Sequence, residues 1–277
     1  MRTDSRIVAG ALLAGLLLLF QAGEVFAHGS FHERIDYLTK ALEQTPADPI
    51  LLFELASLHG LHGDTELALQ NLDKVDALAP GKFPTDLIRG DAFLVARNFA
   101  KAKEVLDRQL VSHPETTRAW LLRARAEQEL GQQEASLADY REALKRTQSP
   151  EPDLIEELAN ALVAAGKKEE AAQVLTAGIE RLGKIPSLVL HAVDLDIEMK
   201  NVDGALRRIE QARQEAPRPE PWMARRAEVL TQAGRVEESR AAWKKLLARL
   251  GSLPDHERNS HAMTQLTEKA RDALASL

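Results

Sequence analysis

The chain has 277 residues, a formal net charge of −6 and a pI near 5.8, which argues against a nucleic-acid-binding protein with a strongly basic face. It contains no cysteine, so disulfides, thiolate metal ligands and cysteine nucleophiles are excluded. Aromatic residues make up only 4% of the chain, and the abundance of Ala and Leu favours helix over sheet.

The first 27 residues have the features of a secretory signal peptide. Arg2 and Arg6 precede an apolar run from Ile7 to Phe20, and a polar segment then ends at the small residue Ala27. The apolar run is shorter than the roughly 20 residues that a membrane-spanning helix needs. We therefore expect cleavage near Ala27 and a mature chain that starts at His28, is periplasmic or secreted, and has no membrane span.

A helix is predicted next, from about Phe31 to Glu43, and it is followed by a proline. Pro46, Pro80 and Pro114 then recur at the same spacing, which indicates a repeat of about 34 residues with two helices in each repeat. The first helix therefore corresponds to the second half of a repeat whose first half is missing.

The second helix of each repeat carries a small residue at one fixed position and a bulky residue four positions later. A small side chain is required where two antiparallel helices approach most closely, and the bulky one can fill the space between hairpins. The small residues are Ala68, Ala102, Ser136, Ala171, Ala205 and Ser239, and the bulky residues are Leu72, Leu106, Tyr140, Leu175, Ile209 and Trp243.

This pattern resembles the tetratricopeptide repeat family. The residues that match the family motif most closely are Trp120, Ala124, Gly131, Ser136, Tyr140 and Ala143. The resemblance implies an all-α fold, a superhelical solenoid of about six helix-turn-helix hairpins in a single domain over residues 28–277. The predicted repeats are 49–82, 83–116, 117–151, 152–185, 186–219 and 220–253.

Two repeats depart from the family pattern. Asp86 stands at the usual aromatic position of the second repeat, and Arg97 and Lys200 stand where a small turn residue is common, so hairpins two and five are expected to be distorted. After Leu250 the period ends, and a final helix is predicted over residues 255–276. We expect this helix to cap the apolar end of the stack.

The catalytic motifs that the sequence approaches are incomplete. Gly81-Lys82 and Gly166-Lys167 lack the preceding Gly and the following Ser or Thr of a phosphate-binding loop. His32-Glu33 begins a zinc-protease motif, but its fifth position is Asp36 instead of histidine. The sequence thus predicts a protein that is not an enzyme and needs no cofactor for catalysis.

Histidines cluster at the start of the mature chain, at positions 28, 32, 59 and 62. If cleavage follows Ala27, His28 presents a free α-amine and an imidazole, a pair suited to copper(II), and His32 can add a third nitrogen. A chain that starts with His-Gly resembles secreted proteins with an amino-terminal copper site. In the alternative interpretation His28 is a disordered end, His32 an exposed first-turn residue and His59 a packing residue.

In the tetratricopeptide repeat family, the first helix of each hairpin lines a concave groove. Carried over by position, the candidate partner-binding residues are Phe53, Leu87, Asp91, Leu121, Arg125, Glu156, Asn160, Leu190, Asp194 and Glu228. The leucines beside Arg125 suit an extended or helical peptide with apolar and acidic side chains. The alternative for each leucine is packing inside the solenoid. The Lys and Asn clamp with which the family binds peptide carboxyl termini is absent.

These observations lead to two functional hypotheses. The first is an exported tetratricopeptide repeat scaffold that binds a protein or peptide partner in the periplasm or cell envelope, with no nucleic-acid partner. The alternative is a copper-binding accessory protein that uses His28 and His32.

Overall fold

The structure is a computed structural model that describes the backbone of residues 28–277 and the side chains from Phe31 onward. In this range the regular elements are α-helices, and none of the described residues lies in a strand. The described chain groups into two compact units, residues 28–98 and residues 99–277. The predicted signal peptide and the side chain of His28 lie outside the described part.

The first unit contains four helices. They are α1 (His28–Gln44), α2 (Pro49–His62), α3 (Thr65–Leu78) and α4 (Thr85–Val95). Helices α2 and α3 pack as a hairpin, α1 packs against α2, and α4 packs against both helices of the hairpin. The lone predicted helix at the start of the mature chain is thus α1, and its apolar stripe finds its partner in the first hairpin.

Helix α2 begins and ends where its sequence provides caps. The Asp48 carboxylate accepts hydrogen bonds from the backbone N–H groups of Ile50 (2.8 Å) and Leu51 (3.3 Å), and Pro49 occupies the first turn. At the other end Gly63 has φ 94°, a left-handed conformation that a side chain disfavours. These two caps set the register of α2, and with it the direction of the histidines in its last turn.

The second unit contains eleven helices. They are α5 (Phe99–Ser112), α6 (Thr117–Glu129), α7 (Gln133–Arg146), α8 (Pro152–Ala164), α9 (Lys168–Leu182), α10 (Pro186–Glu198), α11 (Val202–Glu215), α12 (Glu220–Gln232), α13 (Val236–Gly251), α14 (Asp255–Arg258) and α15 (His261–Ser276). Four hairpins follow one another, α6 with α7, α8 with α9, α10 with α11, and α12 with α13. Their boundaries agree with predicted repeats three to six.

The periodic small and bulky residues form the interior, as the sequence pattern predicts. The six small residues are at most 1% exposed and the six bulky ones at most 2% exposed. Where the small residue is serine, its hydroxyl donates to a carbonyl of the first helix: Ser136 to Ala124 (2.8 Å) and Ser239 to Ala227 (3.2 Å). The buried hydroxyl is therefore satisfied at the height where the two helices approach.

Arg97 and Lys200 reproduce the turn geometry that glycine provides in the other hairpins. Their φ values are 56° and 61°, against 73° at Gly131 and 74° at Gly166. Hairpin five is closed by packing of α10 against α11, so the expected distortion there is wrong. The cost is local backbone strain, because a left-handed residue with a side chain is less stable by roughly 1–2 kcal/mol.

Replacing Lys200 with glycine should therefore stabilise the second unit by about 0.5–1 kcal/mol, because the relieved strain exceeds the entropy that glycine adds to the unfolded chain. Chemical unfolding measures this change. The matched control is Gly166→Ala, whose new methyl group meets no atom within 4 Å and which should destabilise the unit through φ alone. A Lys200→Gly protein no more stable than the parent would show that the strain at residue 200 does not exceed the entropy that glycine adds to the unfolded chain.

The end of the second unit is covered as predicted, but by two helices instead of one. The predicted helix over 255–276 is divided into α14 and α15. Helix α15 packs against α12 and α13 and buries Met263 (3% exposed) and Ala270 (0% exposed). The apolar face of the last hairpin is thereby removed from water. In the described range 28–277, no helix combines the length and the apolar character needed to cross a membrane.

Candidate functional site

The candidate site lies on the first helices of the second unit, α6, α8, α10 and α12. Each second helix packs against its own first helix and against the first helix of the next hairpin, so the first helices follow one another along one side. We call the side chains predicted there the first-helix face. It comprises Leu121, Arg125, Glu156, Asn160, Leu190, Asp194 and Glu228.

An ion pair joins the first two helices of this face. Arg125 of α6 donates from Nε to Glu157 Oε2 (2.8 Å) and from Nη2 to Glu157 Oε1 (2.7 Å), a two-pronged pair. The Tyr140 hydroxyl lies 3.2 Å from Glu157 Oε2 and 3.1 Å from Gln128 Oε1. Because its charge is already paired, Arg125 is not a free cation for an acidic peptide.

A second ion pair, at the same positions of the repeat, joins the first helices α10 and α12. Asp194 of α10 pairs with Arg225 of α12, whose Nη1 also lies 3.2 Å from Glu228 Oε2. Glu228 pairs in turn with Lys269 of α15. In both ion pairs the ninth residue of one predicted repeat meets the sixth residue of the next.

The step between these pairs, from α8 to α10, lacks an ion pair. The two register positions are held there by Asn160 and His191, and within the described residues neither makes a side-chain hydrogen bond or ion pair. At the fifth positions of the same two repeats, Glu156 Oε1 is buried with no hydrogen-bond partner in the described part of the chain, and Leu190 is 37% exposed. We call Glu156, Asn160, Leu190 and His191 the central patch.

A cavity of about 300 Å³ lies at the first of these steps, between the hairpin α6–α7 and helix α8. Its lining includes Gln128, Ser136, Ala161 and Ala164. Its small and polar walls leave room for one side chain of a partner. The central patch itself has unused hydrogen-bonding capacity, at the buried Oε1 of Glu156.

The predicted residues of the first unit are placed differently. Phe53 is 5% exposed and packs against Phe83 with ring centroids 5.1 Å apart, and Leu87 is 8% exposed. Asp91 is half-buried, and Leu121 of the second unit packs against the core. Leu87 therefore fits the alternative interpretation, in which the leucines pack in the interior. Because Phe53 and Leu87 are buried, they are not part of the candidate binding surface.

Sequence reasoning missed the residues that decide where this face is free. These are Glu157, His191, Arg225 and Lys269, all outside the predicted partner-binding positions. The recurrent pairing of position nine with position six in the next repeat is visible in the sequence. It becomes a signal only when the repeats are aligned and the charges at these two positions are compared.

The histidines of the first unit lie close together in space, although they come from two different helices. The ring of His32 on α1 lies 5.0 Å from that of His62 on α2. The Nδ1 atoms of His62 and His59 lie 3.2 Å and 3.4 Å from Asp64 Oδ2. Hydrogen bonds from His59 and from His62 hold the pKa of Asp64 below its ordinary value. His59 is 9% exposed, which agrees with its alternative interpretation as a packing residue.

This architecture, successive helical hairpins packed one after another, defines the class of helical-hairpin repeat proteins. The model of the family described as Tetratricopeptide repeat matches residues 90–252, more than half of the chain. The chain therefore belongs to the tetratricopeptide repeat family. A comparison with curated proteins finds no match.

Solved structures support the same fold. The chain is similar to the C-terminal part of a TPR repeat-containing protein from Cytophaga hutchinsonii, with a TM-score of 0.64, 12% identity, and coverage of 88% of this chain and 95% of that one. It is also similar to a tetratricopeptide repeat protein from Parabacteroides merdae (TM-score 0.52, 16% identity, 88% and 93% coverage). Yeast Tom70 gives a TM-score of 0.52 at 15% identity, with 85% and 47% coverage.

Proposed function

We propose that the protein is an exported, non-enzymatic scaffold that binds a protein or peptide partner through the central patch. The observation that carries the proposal is the break in the ladder of ion pairs at the step from α8 to α10. Helices α8 and α10 pack against each other directly, but without an ion pair at these two positions. The polar atoms of this step therefore remain available to another molecule.

The chemistry of the central patch selects a different partner from the one that the sequence suggested. Glu156 has a buried carboxylate oxygen without a donor, and a buried acceptor of this kind is costly until it receives a hydrogen bond. Leu190, at the same position of the next repeat, offers exposed apolar surface. We therefore infer a peptide segment that places a basic side chain next to apolar ones, in place of an acidic segment for Arg125.

Export to the periplasm or cell envelope is part of this proposal and rests on the sequence of residues 1–27. The absence of a membrane-spanning segment in the mature chain is expected from the same signal peptide, because the apolar run is removed with it. The partner is accordingly an envelope or secreted protein. Intact-mass measurement of the exported protein tests this part directly, with a mature chain starting at His28 as the expected result.

Peptide binding tests the central patch. Fluorescent peptides with one Lys between leucines are expected to bind the mature protein, and the same peptides with Glu in place of Lys are expected not to bind. Glu156→Gln should weaken binding about 10-fold or more, because a hydrogen bond to a charged acceptor contributes roughly 1.5–3 kcal/mol. Glu180→Gln, at an exposed carboxylate on the second helix α9, should leave the affinity unchanged.

A photo-crosslinking side chain then locates the bound peptide. At position 160 it should form an adduct with the Lys peptide, and at position 244, on the exposed side of α13, it should form none. Equal adducts at both positions, or equal affinity of the Lys and Glu peptides, would contradict binding at the central patch.

A further inference from the structure

The first unit contains a pair of imidazoles that the scaffold function does not use. His32 lies in the early part of α1 and His62 in the last turn of α2, 30 residues later. Their rings meet edge to face, with centroids 5.0 Å apart and an interplanar angle of 73°. His32 is exposed and the side chain of His62 is 33% exposed, so an ion from solvent has access to both.

The turn after α2 fixes the orientation of His62. The left-handed Gly63 reverses the chain, and the backbone N–H of Asp64 donates to the carbonyl oxygen of His59 (2.9 Å). This backbone bond holds the Asp64 carboxylate against His62 Nδ1 at 3.2 Å. Since a carboxylate can only accept, Nδ1 carries the proton in the neutral ring, and Nε2 keeps the lone pair that binds a metal.

Phe31 holds the other side of the ring. It stacks on His62 with centroids 5.3 Å apart and an interplanar angle of 20°. A histidine whose second nitrogen donates to a carboxylate is the usual arrangement around a protein-bound metal, because it fixes the ring and raises the basicity of the ligand nitrogen. His62 therefore has the support of a metal ligand from Asp64 and from Phe31.

The spacing of the two rings also fits a shared ion. When two imidazoles bind the same ion, with metal–nitrogen distances of about 2.0–2.1 Å and nitrogen–metal–nitrogen angles of about 90–109°, their ring centroids lie about 4.5–5.2 Å apart. The observed 5.0 Å lies in that interval. Among the described side chains no group of three His, Asp or Glu residues is placed to hold an ion, so the described ligands are two.

We propose that His32 and His62 bind one divalent transition-metal ion, with Asp64 positioning His62. Copper(II) is the first candidate because imidazole nitrogen suits it and because it binds most tightly among the divalent first-row metals. Water completes the coordination. The site extends the sequence hypothesis for His28 and His32 by a ligand on another helix and by its carboxylate.

Titration of the mature protein with copper(II) tests the proposal by calorimetry and electron paramagnetic resonance. We expect one ion per chain and hyperfine splitting from imidazole nitrogen. His32→Ala and His62→Ala should each weaken binding by at least 10-fold, and Asp64→Asn by about 10- to 100-fold.

The matched control is His113→Ala. His113 Nδ1 lies 3.4 Å from Glu115 Oε1, a histidine–carboxylate contact like that of His62 but with no second imidazole in ring contact among the described residues. This variant should bind copper as the parent does. A parent protein without a specific copper signal, or a His62→Ala protein with unchanged affinity and spectrum, would overturn the proposal. Loss of affinity in His28→Ala alone, with His62→Ala unaffected, would place the ion at the amino terminus instead.

Discussion

Replacing Arg123 with methionine is expected to destabilise the second unit by about 3 kcal/mol. Arg123 on α6 donates from Nε to Asp139 Oδ2 (2.6 Å) and from Nη1 to Asp107 Oδ1 (2.7 Å), which joins α5, α6 and α7. Asp139 is 5% exposed, and loss of its partner leaves a buried charge unpaired, which typically costs 3–5 kcal/mol. Burial works to lower the pKa of Arg123, but Asp139 and Asp107 more than offset this and raise it.

Chemical unfolding measures the loss, and two further proteins make it interpretable. Lys145→Met removes a lysine on α7 that is 75% exposed and should change stability by less than about 0.5 kcal/mol. The double variant Arg123→Met, Asp139→Asn should recover part of the loss, because the unpaired carboxylate is then gone. An Arg123→Met protein that is as stable as Lys145→Met would show that this network contributes nothing.

The second large effect concerns Glu127, which lies beside the same network. Glu127 is 3% exposed, its Oε1 lies 3.7 Å from Lys103 Nζ, and its Oε2 is buried without a partner among the described residues. Burial and the charge of Asp139 raise its pKa to about 7. Between pH 4.5 and 7 the folded protein therefore holds a proton that the unfolded chain releases.

Stability must fall as the pH rises through that interval, because the unfolded state binds fewer protons there. We expect Glu127→Gln, which stays neutral, to gain up to about 3 kcal/mol relative to the parent between pH 5 and pH 8. Urea unfolding at several pH values measures the difference. The stability of Glu180→Gln, which changes an exposed carboxylate, should depend on pH as that of the parent does. If the stability of Glu127→Gln also followed the parent at every pH, Glu127 would ionise normally.

The sequence and the structure differ most on the candidate site. Position in the repeat correctly placed Asn160, Leu190 and Asp194 on exposed parts of first helices. It predicted Arg125 and Glu156 equally as partner-binding residues, although Arg125 is paired with Glu157 and Glu156 has a buried, unpaired oxygen. The difference depends on which side chain of the next repeat lies opposite, and the rule for one repeat contains no information about that contact.

The histidines show the same limit at another place. The sequence singled out His28 and His32 through the expected cleavage site, and it also contained His62 and Asp64. That His62 meets His32 depends on how α1 lies against α2, and the role of Asp64 depends on the left-handed turn at Gly63. Proximity across 30 residues follows from packing, which acts between helices and leaves no local pattern.

By itself, the sequence determined the all-α class, the repeat length, the hairpin boundaries of the second unit and the buried positions of the second helices. These features follow from helical periodicity and from the need for a small residue where helices approach, and both are local and repeated. Only the tertiary structure decided which charges are paired, that Glu127 is buried beside Asp139, that Lys200 adopts a glycine-like turn, and which neighbouring first helices lack an ion pair. Those features arise from contacts between neighbouring helices, where a shift of a few ångströms separates an ion pair from an unpaired buried charge.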